Sequence, residues 1–139
     1  MAHDVLAGRH ALVTGGARGL GAGMAQALAA AGAAVMIGDV LDDLAAETAS
    51  GLGGHATHLD VSDEASWEAA VAATISQLGG LDILVNNAGI ELSGQIVDAE
   101  ADDLRRKLDV NVLGTALGIK HGLRAMRPGG AAASPAVRA

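Results

Sequence analysis

The 139-residue sequence predicts an α/β fold, a doubly wound parallel sheet of about four strands with their helices. Short, β-branched apolar runs alternate with longer segments in which apolar residues recur every three or four positions. Glycine clusters fall at the joints between the two kinds of segment. The runs return at the spacing of successive βα units, which implies parallel strands joined by right-handed crossovers.

Taken in order, Ala11-Leu12-Val13-Thr14 reads as a buried strand running into a glycine turn. From Leu20, the residues Met24, Leu28 and Ala31 mark one face of a helix that stops at Gly32. Ala33 to Asp39 is the second strand. Leu41, Leu44, Ala45 and Thr48 form the next helical stripe, ended by the Gly51 to Gly54 cluster, and His55 to Val61 is the third strand. Ser62 is placed to cap the following helix, Asp63 and Glu64 suit its positive end, and Trp67, Val71, Ile75 and Leu78 hold one face as far as Gly79-Gly80. Leu81 to Asn86 is the fourth strand. Beyond a loop, Asp98 is placed to cap a helix with Leu104 and Leu108 on its buried side. Val112, Ala116, Ile119, Leu123 and Met126 then make the longest apolar stripe of the chain, ended at Pro128.

Composition narrows the function. Half of the residues are apolar, alanine is the commonest of them and Trp67 is the one aromatic, so the core gains little area per buried position. A net charge of −7 argues against nucleic acid or an anionic membrane as partner. With no cysteine there is neither a disulfide framework nor thiolate chemistry. Met1 to His10 lacks the pattern of a signal segment and Ala27 to Gly38 is too short to span a bilayer, so a cytoplasmic protein is expected. His55 and His58 sit three apart in a strand and point to opposite faces, and no metal centre is expected. Asp102-Asp103 and Arg105-Arg106-Lys107 read as a solvated helix face.

The turn Thr14-Gly15-Gly16-Ala17-Arg18-Gly19-Leu20-Gly21 lies between the first strand and the first helix, where a pyrophosphate meets free N–H groups at a helix N-terminus. Glycines there serve a tight bend equally well. The spacing G-x-G-x-x-G is not met, since counting from Gly19 and Gly21 the sixth position is Met24, and no Lys-Ser/Thr pair follows to make a P-loop. Asp39 stands 18 residues after Gly21, near the distance at which an acidic residue reaches the adenosine ribose of a dinucleotide. A 2′-phosphate there brings two negative groups together, which favours NAD over NADP by about 1–3 kcal/mol. Arg18 serves the pyrophosphate, partly compensates a 2′-phosphate, or is a solvated charge.

The turn matches the T-G-x-x-x-G-x-G pattern of the short-chain dehydrogenase/reductase family. Asp39, Asp60-Val61 and Asn86-Asn87-Ala88-Gly89 follow in the family's order at the ends of strands two, three and four, and Asn111 matches its helix asparagine. The chain resembles that family from about Arg9 to Arg127, a partial dinucleotide-binding domain of Rossmann-like type over residues 1–128. The resemblance implies a sheet in the order 3-2-1-4 and cofactor contacts from Gly15, Arg18, Gly19, Leu20, Gly21, Asp39, Asp60, Val61, Asn87, Ala88 and Gly89. It implies that Asp60 and Val61 face adenine, although Asp60 at a strand end also suits capping of the turn before Ser62. It implies that Asn86 ties neighbouring strands, that Gly89 lets backbone approach the cofactor, and that Asn111 bends its helix through a bound water and supports a proton relay without performing chemistry.

The family's acid/base Tyr, the Lys four residues later and the substrate-orienting Ser have no counterpart: there is no tyrosine, and Lys120 and Ser134 stand outside the family's context. The expectation is an NAD-binding portion of an oxidoreductase acting on alcohols or ketones, inactive alone, whose intact relatives are homo-oligomers and take a small-molecule substrate. A free-standing NAD-binding module or pseudoenzyme, and a fragment completed by another chain, are the alternatives. Residues 129–139 carry no apolar period and read as a disordered tail. Because the family pattern stops abruptly at Gly129-Gly130, a one-base shift of the coding DNA after Gly130 is expected to restore a strand and a Tyr-x-x-x-Lys helix.

Overall fold

A computed structural model describes residues 4–127. The Pro128 stop and the tail expected at 129–139 lie outside the described residues. Four parallel strands, β1 (His10–Thr14), β2 (Ala34–Asp39), β3 (His55–His58) and β4 (Ile83–Val85), form one sheet in the order β3-β2-β1-β4, as the resemblance implied. The register places Leu12 opposite Met36 and Leu84, and Ile37 opposite Ala56.

Because side chains alternate across a strand, β1 and β2 feed two separate cores. Ala11, Val13, Val35 and Ile37 face one side, where helices α1 (Gly19–Ala30) and α2 (Asp42–Gly51) cover them with Ala25, Ala45 and Ala49. Leu12 and Met36 face the other, packed against Trp67, Ala70 and Val71 of α3 (Glu64–Leu78) and Leu117, Ala125 and Met126 of α5 (Gly114–Met126). Helices on both faces make the sheet doubly wound. The first core is lined by alanine and holds its helices close; the second is built around Trp67, whose ring is fully buried and whose Nε1–H donates to the Val61 carbonyl at 2.9 Å.

Several helical faces differ from the sequence expectation. On α1 the buried residues are Gly21 and Ala25, while Leu20 and Met24 face solvent. On α2 Leu44 is exposed and Ala45 and Ala49 are buried. The largest departure is α5, where Val112, just before it, and Ile119 and Leu123 on it point outward at 61%, 51% and 49% exposure. The inner face is instead Gly114, Leu117, Gly118, His121 and Gly122 with Ala125 and Met126. The cause is space. A β-carbon on Gly114 would come 2.7 Å from Val61, one on Gly118 2.8 Å from the Trp67 ring, and one on Gly122 2.8 Å from Leu84. Glycines every fourth residue let the helix axis approach the sheet more closely than an apolar stripe could.

The caps differ too. Asp63, not Ser62, caps α3, its carboxylate accepting the Ala65 N–H at 3.1 Å. Asp98 ends a single 3₁₀ turn (Ile96–Asp98), and Glu100 precedes helix α4 (Ala101–Leu108). Leu104 and Leu108, expected on a buried side, are 38% and 59% exposed. A π turn, Asp109–Leu113, joins α4 to α5.

Candidate functional site

The carboxyl ends of the four strands open on a cleft of about 590 Å³. In a doubly wound sheet this is where ligands bind, because the loops leaving adjacent strands part there and helix N-termini point inward. The turn after β1 contributes Gly15, Arg18, Gly19 and Leu20, and the end of β2 contributes Asp39. Asp60 and Val61 come from the segment after β3, and Asn87, Ala88 and Gly89 from the segment after β4. Gly21 does not line the cleft: it is buried on α1 beneath the turn, where a β-carbon would collide with the Gly15 carbonyl oxygen. Gly15 adopts φ +64°, and a β-carbon on it would stand 2.9 Å from Ala88 Cα, so both conformation and space call for glycine.

Thr14 latches β1 to β4. Its hydroxyl oxygen accepts the N–H groups of Asn87 and Ala88, each at 3.0 Å, and the Asn87 side-chain amide donates to the Thr14 carbonyl at 3.0 Å and the Gly15 carbonyl at 3.2 Å. The strand tie expected of Asn86 is therefore made by Asn87. Asn86 instead sets its Oδ1 where a side chain on Gly118 would lie. The Thr14 hydroxyl was legible only as the first letter of the turn pattern, and its contacts depend on the β1–β4 register.

Asp39 is buried, and each carboxylate oxygen accepts one backbone N–H at 3.0 Å, Oδ2 from Ala17 and Oδ1 from Leu41. It holds the turn after β1 through the Ala17 N–H and is among the residues that line the cleft. Asp60 does cap the turn that follows it: Oδ1 accepts the Ser62 N–H at 3.0 Å and the Ser62 hydroxyl at 2.6 Å. The Asp60 N–H donates to Ser66 Oγ at 2.9 Å.

Asn111 lies in the π turn and grips the loop after β4 with both ends of its amide. Its Oδ1 accepts the Ile90 N–H at 2.8 Å and its Nδ2 donates to the Ile90 carbonyl at 2.9 Å.

Arg106, Asp109 and Val110 also line the cleft, together with Ser62 and Ile90. Sequence reasoning missed them, because no local pattern tells which residues of α4, the π turn or the loops meet the cleft. Arg105 does lie on the solvated face, 2.8 Å from Asp102. The lining thus carries the cations Arg18 and Arg106 beside the carboxylates of Asp39, Asp60 and Asp109.

Comparison with known proteins bears on the fold and the family. Residues 9–134 match the family described as short chain dehydrogenase. The chain is 44% identical over 138 residues to trans-4-hydroxycyclohexanecarboxylate dehydrogenase of Sinomonas cyclohexanicum, an alignment that covers 91% of this chain and 53% of that protein. A short chain dehydrogenase of Burkholderia cenocepacia J2315, solved in complex with NADP, superposes with a TM-score of 0.83 at 38% identity over 90% of this chain and 54% of that one. The 3-ketoacyl-(acyl-carrier-protein) reductase of Brucella melitensis, complexed with NADH, gives 0.81 at 41% identity over 83% and 49%. The chain spans about half the length of the curated relatives it matches. With the glycine turn, the sheet order and the family match all in agreement, this chain belongs to the short-chain dehydrogenase family.

Proposed function

We propose that the cleft binds NAD in preference to NADP, and that the chain is the cofactor-binding portion of an oxidoreductase acting on an alcohol or ketone. The observation that carries this reading is the buried carboxylate of Asp39, fixed by two backbone N–H groups at a cleft to which Gly15, Gly19 and Gly89 also contribute. Each Asp39 oxygen uses one lone pair on the protein and keeps another for a ribose hydroxyl. The turn Gly15 to Leu20 opens onto the N-terminus of α1, which suits a pyrophosphate. Val61 and Ala88 offer apolar walls to a base, and Gly89 leaves room beside Asn111 for the nicotinamide ribose. Asn111 acts as a positioning residue, holding Ile90 and with it the segment that follows Gly89. The bound cofactor supplies hydride transfer. The 139 residues contain no tyrosine to serve as proton donor, so the polypeptide alone binds cofactor without oxidising an alcohol.

Solved relatives carry either NADP or NADH, so the choice must be argued from this chain. At Asp39 a 2′-phosphate would meet a fixed carboxylate, a repulsion of about 1–3 kcal/mol, or roughly 5- to 150-fold in affinity. Calorimetric titration of the purified polypeptide with NAD and NADP tests the reading. NAD binding tighter by that factor supports it, and NADP as the tighter ligand overturns it.

A further inference from the structure

A group of side chains with no part in the cleft joins α3 to α5. Glu64 and Glu68 stand one turn apart on α3, and His121 comes from the face of α5 that packs against it. One carboxylate oxygen from each glutamate and one imidazole nitrogen lie within 4.8 Å of one another. His121 is only 4% exposed, with Nε2 2.9 Å from Oε1 of Glu64. The ring is thus held in the helix interface and aims a nitrogen at two exposed carboxylates. Among the described residues, the partner recorded for that nitrogen is itself one of the carboxylates. The Lys120 ammonium reaches the same Glu64 oxygen.

We propose that Glu64, Glu68 and His121 bind a divalent transition-metal ion of the zinc type, which bridges α3 and α5 and displaces Lys120. One imidazole with two carboxylates suits zinc and its neighbours, whereas calcium and magnesium favour an all-oxygen shell. Three protein ligands leave a fourth, tetrahedral position for water. Metal–ligand bonds of about 2.0–2.2 Å bring ligand atoms to roughly 3.4 Å apart. Glu64 Oε1 and His121 Nε2, 2.9 Å apart, part by about 0.5 Å to admit the ion, and Glu68, exposed on its helix, closes the remainder by a change of rotamer. The charge balance favours the exchange: once Lys120 has left, a divalent ion neutralises the two carboxylates. Lys120 leaves as an ammonium group into water, and any proton on His121 Nε2 passes to solvent.

The full chain, stripped with a chelator, is titrated with Zn²⁺ by calorimetry and with Co²⁺ in visible absorption. One equivalent per chain with a tetrahedral Co²⁺ spectrum is expected, weakened about tenfold or more in Glu68→Gln and lost in His121→Gln. Lys120→Ala removes the competing cation and strengthens binding severalfold. Glu68 is exposed, so its variant keeps the fold, which far-ultraviolet circular dichroism verifies. Failure of Zn²⁺ to bind overturns the proposal. So does binding unchanged in Glu68→Gln, or lost in a His55→Gln, His58→Gln double variant.

Discussion

Replacing Asp39 by alanine tests whether one carboxylate serves both the fold and the cofactor preference. In the protein it satisfies two N–H groups, that of Ala17 in a buried bond and that of Leu41 in a half-buried one. An N–H stripped of its acceptor and shut away from water costs about 1–3 kcal/mol, and one that reaches water costs less. Asp39→Ala should therefore lower stability by about 2–4 kcal/mol, with the Ala17 N–H responsible for most of it. Asp39→Asn retains one carbonyl oxygen but turns an NH₂ group toward the other N–H, for a loss of about 1–2 kcal/mol. Urea unfolding followed by Trp67 fluorescence measures both, since that indole is fully buried and the chain has no other aromatic of its kind. The same protein titrated with NAD and NADP should show the gap between them narrowed. An Asp39→Ala protein within about 0.5 kcal/mol of the parent, the spread of ordinary surface substitutions, refutes the structural half of the argument.

Gly118→Ala should lose about 1–3 kcal/mol, because its methyl would press on the Trp67 ring and Asn86. Gly23→Ala, on the open side of α1 with nothing within 4 Å, should gain about 0.5–1 kcal/mol; equal effects from the two in denaturant melts would contradict the close approach of α5. Glu64 has its carboxyl lowered in the folded state from 4.5, chiefly by the Lys120 hydrogen bond. Its contribution is therefore present above about pH 4.5 and is lost as pH falls through the lower folded value. Melting temperatures of metal-free parent and Glu64→Gln should converge as the pH falls below about 4.5, and a difference that does not shrink on acidification would count against the pairing.

The order of elements was readable because strands here are short β-branched runs bounded by glycine, and because Thr14-Gly15, Asp39, Asp60 and Asn87 recur at strand ends where a doubly wound sheet gathers its ligands. The buried face of α5 was not readable in the same way. A hydrophobic period finds leucines, but Gly114, Gly118 and Gly122 are buried for the absence of a side chain, and the outward Ile119 and Leu123 mimic a core stripe. Arg106 was lost to a similar ambiguity, since a basic run on an amphipathic helix looks solvated whether or not one member turns into a cleft. That Asn87 rather than Asn86 ties the strands depends on strand register, in which a shift of one residue reverses the face a side chain occupies. The Glu64, Glu68 and His121 cluster joins residues from two helices far apart in sequence, and no local spacing encodes it.

The latch from Thr14 to Asn87 gives the cleft and the sheet edge a common fate. Among the described residues β4 pairs with β1 alone, and the chain just past β4 is held by the threonine hydroxyl and by the Asn87 amide, which also fixes Gly15. If a molecule seated on Gly15 and a strand laid along the other side of β4 both favour this arrangement of Asn87, the two are coupled through it. Thermodynamic reciprocity then requires that whatever factor the first adds to the affinity of the second, the second returns to the first. A chain segment completing the sheet would act as an effector of the cofactor cleft without touching it, and the cofactor would act as a clamp on assembly of the sheet.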